Sequence, residues 1–181
     1  MGASSDGVLE YCYLDAVRLA GHSCPTVAGA WLCTVAALKN LYGEQLPERG
    51  GVSVYMDEVE DAGVTGVIAQ VVTLLTGATA ANGFKGLAGR YARNNLLHYA
   101  SEGVQGMVFR RNDTGQQVAV SLDLSSVPAE PAQHTLIPLI LSGQATSEQE
   151  QEFGRLWQNR VQRLLLEHAN DPEVVQVTAL A

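Results

Sequence analysis

Cysteine is scarce in this sequence, and its three residues, Cys12, Cys24 and Cys33, include no Cys-x-x-Cys pair. An odd number of cysteines without paired spacing does not fit the disulfide framework of a small secreted domain. The first residues lack the basic stretch and apolar run of a signal peptide, and no apolar run approaches the roughly 18 residues of a membrane span. We therefore expect a cytoplasmic protein, not bound to membrane, whose thiols stay reduced or bind a metal.

Positive charge is also in short supply. The 11 Lys and Arg residues stand against 19 Asp and Glu, giving a net charge of -8, and only Arg110 and Arg111 are adjacent. Such a chain repels nucleic-acid phosphates and anionic lipid, so we expect no nucleic-acid partner. The hydrophobic fraction of 46% is typical of a globular domain, and 181 residues suffice for one domain with a small appendage.

Common enzyme signatures are missing. The sequence has no Gly-x-Ser-x-Gly elbow and no His-Glu-x-x-His helix, which excludes the usual hydrolase and zinc-protease motifs. Its glycine-rich segment, Gly83-Phe84-Lys85-Gly86, lacks the Gly-Lys-Ser/Thr ending of a phosphate-binding loop. Whether the protein is an enzyme therefore stays open at this point.

Hydrophobic periodicity predicts helices at both ends of the chain. Three are expected early, at residues 6–19, 25–41 and 64–76, and a long one runs from a capping box at Ser147 to His168. The first helix would bury Cys12 in the core. The third is apolar on nearly every face, which is typical of a helix enclosed by neighbours or placed at a subunit interface.

Alternating apolar residues predict a sheet. Strands are expected at residues 52–56, 96–100, 106–110, 117–124 and 174–177, the last as an edge strand. The turn sequence Asn112-Asp113-Thr114-Gly115 indicates a hairpin. The predicted fold class is α+β, with an antiparallel or mixed sheet packed against helices. We expect a core domain at residues 1–128 and a helical extension, packed on that core, at residues 129–181.

The strongest chemical signal is His22 and Cys24 at the start of the second helix. Cys24 directly precedes Pro25, a favoured first helical residue, and is therefore predicted as the N-cap. The helix dipole and free N–H groups there favour a thiolate. His22 can share a metal with this thiolate or act as its base. A small buried cysteine beside a hydrogen-bonded turn histidine is an equally ordinary interpretation.

A metal site needs more than two protein ligands unless solvent or substrate completes the shell. The candidates for a third ligand are Glu58, Glu60, Asp61 and His98, of which we name Glu58. None has diagnostic spacing, and a solvated acidic turn and a core histidine are the ordinary explanations for these residues. Cys33 lies nine positions after Cys24, which directs it away from that thiol and into the core.

The segment from Gly21 to Pro25, followed by small residues in the helix, resembles the Gly-His-x-Cys-Pro-Gly motif of the formylmethanofuran dehydrogenase FmdE family. Thr26 stands at the position of the last glycine of that motif. Residues 76–79, Thr-Gly-Ala-Thr, are similar to the family's Thr-Gly-Cys-Thr segment. The resemblance covers roughly residues 8–125. Ala20 and Ala78 stand where the family often has a histidine and a cysteine. Many relatives also carry a cysteine-rich zinc-binding domain, which we do not expect here because no cysteine follows Cys33 in this sequence.

This resemblance implies an FmdE-like core, an intertwined homodimer, and a groove near His22 and Cys24 that binds a metal such as zinc. Our leading hypothesis is a small metal-binding protein, with zinc or another transition metal held by His22, Cys24 and Glu58 and a position open to solvent or a small-molecule ligand. Imidazole and thiolate also suit copper, iron or haem. The alternatives are an enzyme with Cys24 as nucleophile or redox thiolate and His22 as partner, and an accessory dimeric module.

Overall fold

The computed structural model describes residues 6–180, which form five helices and a five-stranded sheet. The helices are α1 Tyr13–Ala20, α2 Pro25–Tyr42, α3 Thr65–Thr76, α4 Pro131–Leu141 and α5 Ser147–Leu166. The strands are β1 Val52–Met56, β2 Leu97–His98, β3 Met107–Arg111, β4 Gln117–Leu122 and β5 Val175–Leu180. The predicted α+β class is confirmed.

The sheet is mixed, with strand order β2-β1-β3-β4-β5. β1 and β2 are parallel, whereas the other neighbouring pairs are antiparallel. β3 and β4 form the predicted hairpin, in which Gly115 takes the left-handed φ of 77° that its turn requires. β5 closes the sheet as an edge strand, as the sequence indicates.

One hydrophobic core joins α2 to the sheet and to the C-terminal segment. Most residues of β1 are buried, including Val52 and Val54, and Phe109 of β3 beside them is fully buried. Leu164 of α5 and Val174 just before β5 belong to the same core and are also fully buried. α2 therefore lies between the sheet and the other helices, and its N-terminal turn is held from several sides.

Two sequence predictions about α1 are wrong. The helix begins at Tyr13, seven residues after the predicted cap, because Cys12 is the N-cap and its N–H donates to the Asp15 carboxylate over 2.9 Å. Cys12 is consequently exposed rather than buried in the core. A carboxylate three residues inside the helix has thus decided where the helix starts.

Other boundaries shift for local reasons. The strand predicted at residues 96–100 shrinks to β2 because Asn95 and Ala100 take φ values of 57° and 50°, which no strand can continue through. The N-cap of α5 is Thr146, one residue before the predicted capping box, and its hydroxyl accepts the N–H of Gln149. No helix within residues 6–180 is long and apolar enough to cross a membrane.

Candidate functional site

The turn between α1 and α2 carries the predicted site. Gly21 ends α1 with a left-handed φ of 75°, and its N–H donates to the Val17 carbonyl, so the chain reverses within one residue. Pro25 then starts α2, and Cys24 before it is extended, with φ −148°. The predicted N-cap position of Cys24 is confirmed. His22 and Cys24 therefore lie two residues apart in one short turn.

The Cys24 thiol is anchored and largely enclosed. Its Sγ accepts a hydrogen bond from the Val27 N–H over 3.4 Å, as an N-cap side chain does. Only 6% of the residue is exposed, and it packs in a small apolar cluster with Ala16, Val27, Ala30 and Val71. The thiol therefore has a fixed position but little access for a bulky reagent.

His22 is exposed, and one side of its imidazole is held. Nδ1 lies 3.0 Å from the carbonyl oxygen of Ala20. Since a carbonyl can only accept, Nδ1 carries a proton in this arrangement, and in the neutral imidazole the lone pair is then on Nε2. Histidines that bind metals usually hold their other ring N–H in this way, by donating it to a carbonyl or carboxylate.

Ser23, between the two predicted site residues, is fixed by α1 and α5. Its carbonyl accepts hydrogen bonds from Trp157 Nε1 and Gln158 Nε2, each over 3.1 Å. Its hydroxyl lies 2.9 Å from the Tyr13 hydroxyl. Burial raises the pKa of Tyr13, the Ser23 hydrogen bond opposes that rise, and the nearby Cys24 adds to it. The Tyr13 hydroxyl therefore keeps its proton at neutral pH.

Sequence reasoning missed Tyr13, Trp157 and Gln158 as parts of this site. Trp157 is 134 residues from Ser23, so no local pattern connects the two. The available signal was the predicted apolar stripe of α5, which indicated packing on the core but not the place of contact. Tyr13 falls within the first predicted helix, and its spacing alone does not mark it as part of a site.

Thr26, two residues after Cys24, is part of the wall of an apolar pocket of about 330 Å³. It runs between α2, α3 and the sheet, and its wall includes Thr26, Gly29, Cys33, Asp57 and Thr65. Its volume is at the lower end of the range for small-molecule sites. Burial raises the pKa of Cys33 to about 12, so the one thiol in this wall stays neutral.

The candidates for a third metal ligand are not gathered at the turn. Glu58, Glu60 and Asp61 are exposed in the segment after β1, and His98 stacks on the Tyr55 ring with centroids 4.7 Å apart. Across residues 6–180, no group of three or more His, Cys, Asp and Glu side chains could hold a metal ion. An imidazole and a thiolate are suitable zinc ligands. In the described part of one chain, however, the turn offers only these two ligands.

Comparison with known proteins extends the motif resemblance to most of the chain. The family model described as "FmdE, Molybdenum formylmethanofuran dehydrogenase operon" matches residues 19–172. That range includes the His22–Cys24 turn and also α5, whose Trp157 and Gln158 hold Ser23. No curated protein matches the chain. By the extent of the family match, the chain belongs to the FmdE family.

Proposed function

We propose that this FmdE-family protein binds a transition metal, zinc in the first instance, through His22 Nε2 and Cys24 Sγ. The observation that carries the proposal is the hydrogen bond from His22 Nδ1 to the Ala20 carbonyl. It leaves Nε2 available as a metal ligand, two residues from the anchored thiol of Cys24. The remaining positions of the metal would be filled by solvent, a small molecule or a second copy of the chain. Glu58 as a third ligand stays a prediction.

The chain's own groups have distinct parts in this proposal. A zinc ion held there would supply Lewis-acid chemistry to a bound carbonyl or water. Ser23 is fixed through its carbonyl and its hydroxyl, which limits how far His22 and Cys24 can separate. The Tyr13 hydroxyl is neutral, shares a hydrogen bond with the Ser23 hydroxyl and lies near Cys24. The apolar pocket that starts at Thr26 offers room for the body of a small ligand.

The test is metal stoichiometry and affinity in matched variants. Protein stripped with a chelator is dialysed against Zn²⁺ and analysed for metal, and a parallel Co²⁺ titration follows the thiolate-to-metal absorption band. We expect close to one metal per chain in the native protein. Cys24→Ser and His22→Ala should weaken binding by at least about 100-fold, because each removes a direct ligand. The cobalt thiolate band should vanish in Cys24→Ser.

Two control variants separate ligand loss from general damage. Cys12→Ser makes the same substitution at another helix N-cap, one that is exposed and has Glu10 two residues earlier in place of a histidine. His134→Ala removes an exposed histidine on α4. Both should bind zinc as the native protein does.

Other outcomes would favour the alternatives. A native protein that binds no metal, or equal metal binding in Cys24→Ser, contradicts the proposal. In that case, rapid alkylation of Cys24 at neutral pH would favour a thiol enzyme, although a residue 6% exposed should react slowly. Full biological activity in a His22→Ala, Cys24→Ala double variant would instead favour an accessory module.

A further inference from the structure

A second, larger pocket of about 700 Å³ lies away from the His22–Cys24 turn. Its wall is built from the segment before α1, the later part of α2, the segment before β1, the end of α3 and the glycine-rich segment that follows α3. The residues that line it include Leu46, Glu48, Arg49, Phe84, Tyr91 and Arg93. None of them belongs to the proposed metal site.

Two arginines lie side by side in this wall. The aliphatic parts of Arg49 and Arg93 both pack around Gly77, where a Cβ would come within 2.9 Å of Arg49 Cγ and 3.3 Å of Arg93 Cδ. Burial lowers the pKa of Arg49; Tyr11 opposes that effect, and the positive charge of Arg93 adds to it. Two like charges are therefore held close together in a partly buried place.

The two arginines lack an ion-pair partner among the described residues. Glu48 also lines the pocket, but it is exposed and does not contribute to the Arg49 pKa. The sequence from Ala62 to Ser101 has no Asp or Glu, although the chain carries 19 of them. Two arginines without a carboxylate partner thus lie together in a protein of net charge -8.

The two arginines are held in different ways. The Arg49 guanidinium donates to the Leu74 and Thr73 carbonyls at the end of α3 and lies 5.4 Å from the centre of the Tyr11 ring. Arg93 is held by its backbone, since its carbonyl accepts from the Thr79 hydroxyl over 2.7 Å and its N–H donates to the Phe84 carbonyl. In the described part of the chain, the Arg93 guanidinium has no hydrogen-bond acceptor of its own.

Large apolar side chains form another part of the wall, and three of them are well exposed. Leu46, Phe84 and Tyr91 are large hydrophobic residues with exposures of 75%, 47% and 51%. Tyr91 also has a left-handed φ of 62°, a conformation that costs energy for an aromatic residue. Apolar walls with a few fixed polar groups are typical of small-molecule sites.

We propose that this pocket binds a small amphipathic organic anion, whose oxyanion group sits at Arg49 and Arg93 and whose apolar part lies against Leu46, Phe84 and Tyr91. Guanidinium groups match the geometry of carboxylate and phosphate oxygens and bind them through charge-assisted hydrogen bonds. The ligand would also neutralise the repulsion between the two arginines. This site is separate from the proposed metal site, so either proposal can fail alone.

Octanoate and inorganic phosphate are suitable probes, with binding followed by calorimetry and by NMR. We expect octanoate to bind, 1-octanol and phosphate to bind more weakly, and Arg93→Gln to weaken octanoate binding by roughly 10–100-fold. Arg110→Gln is the matched control, because Arg110 is an exposed arginine on β3 outside the pocket. Arg93→Lys should recover part of the affinity, and Cys24→Ser should not change it.

Several results would overturn the proposal. Equal octanoate binding in Arg93→Gln and Arg110→Gln removes the role of the arginine pair. If octanol binds as tightly as octanoate, the anionic group does not contribute to binding. If phosphate binds as tightly as octanoate, the apolar chain does not contribute. If octanoate does not bind, the pocket is not a site for such ligands. Circular dichroism and the melting temperature of Arg93→Gln, compared with Arg110→Gln, distinguish a lost site from a lost fold.

Discussion

Burial governs the chemistry of the Cys33 thiol. The residue is 1% exposed, and desolvation raises its pKa from 9.0 to about 12. An unfolded chain ionises this thiol near its ordinary pKa, whereas the folded chain keeps it protonated. Folding stability from this group is therefore complete below pH 9 and is lost as the pH rises toward 12. At about 1.4 kcal/mol per pKa unit, the loss could reach roughly 4 kcal/mol.

Cys33→Ala should reduce the slope of stability against pH in this range. Urea denaturation at pH 8 to 11 measures it, and Cys12→Ala, at an exposed cysteine, is the control. Some slope should remain, because burial also raises the pKa of Tyr13, Tyr42 and Tyr99. An unchanged slope in Cys33→Ala, or alkylation of native Cys33 as fast as Cys12 at pH 8, would contradict the account.

At the scale of elements, sequence reasoning succeeded where a local signal fixes a boundary. Pro25 and Gly43 bracket α2, and the hairpin turn before Gly115 places β3 and β4. It failed where a single side-chain hydrogen bond sets the boundary, as at the start of α1, where the Asp15 carboxylate accepts the N–H of Cys12. It also failed where the contact is remote, as with the donors from α5 to Ser23, since spacing along the chain carries no information about such contacts.

If the His22–Cys24 turn binds zinc as proposed, α5 should influence the zinc affinity without contacting the metal. A Trp157→Phe, Gln158→Ala double variant removes both donors to the Ser23 carbonyl but keeps an aromatic ring beside Phe153. We expect zinc affinity to fall by about 10–100-fold, as for other partners that orient ligands, while the free energy of unfolding falls by about 1–3 kcal/mol. Gln162→Ala, at an exposed position of the same helix, should change neither quantity. An unaltered zinc affinity in the double variant would show that α5 does not help to position the metal ligands.

Residues 129–180 are joined to the rest of the fold through two elements, β5 and α5. β5 pairs with the entire length of β4, in register from Gln117 with Leu180 to Leu122 with Val175. Val161 and Leu164 of α5 lie in the same hydrophobic cluster as β1 and β3. The intertwined homodimer and the division at residue 128 stay predictions, and the division can be tested directly.

A chain truncated after residue 128 should not fold into a stable unit. It would expose β4 as a new sheet edge, leave the Ser23 carbonyl without its two donors, and open the core where Val161, Leu164 and Val174 are now buried. Each large core side chain removed costs about 2–5 kcal/mol. Three such losses together are comparable with the whole free energy of unfolding of a typical domain, about 5–15 kcal/mol. We therefore expect the truncated chain to lack a cooperative thermal transition and amide-exchange protection in β4, whereas the full chain shows both. A truncated chain that melts cooperatively and still binds zinc would instead establish residues 1–128 as an independent domain.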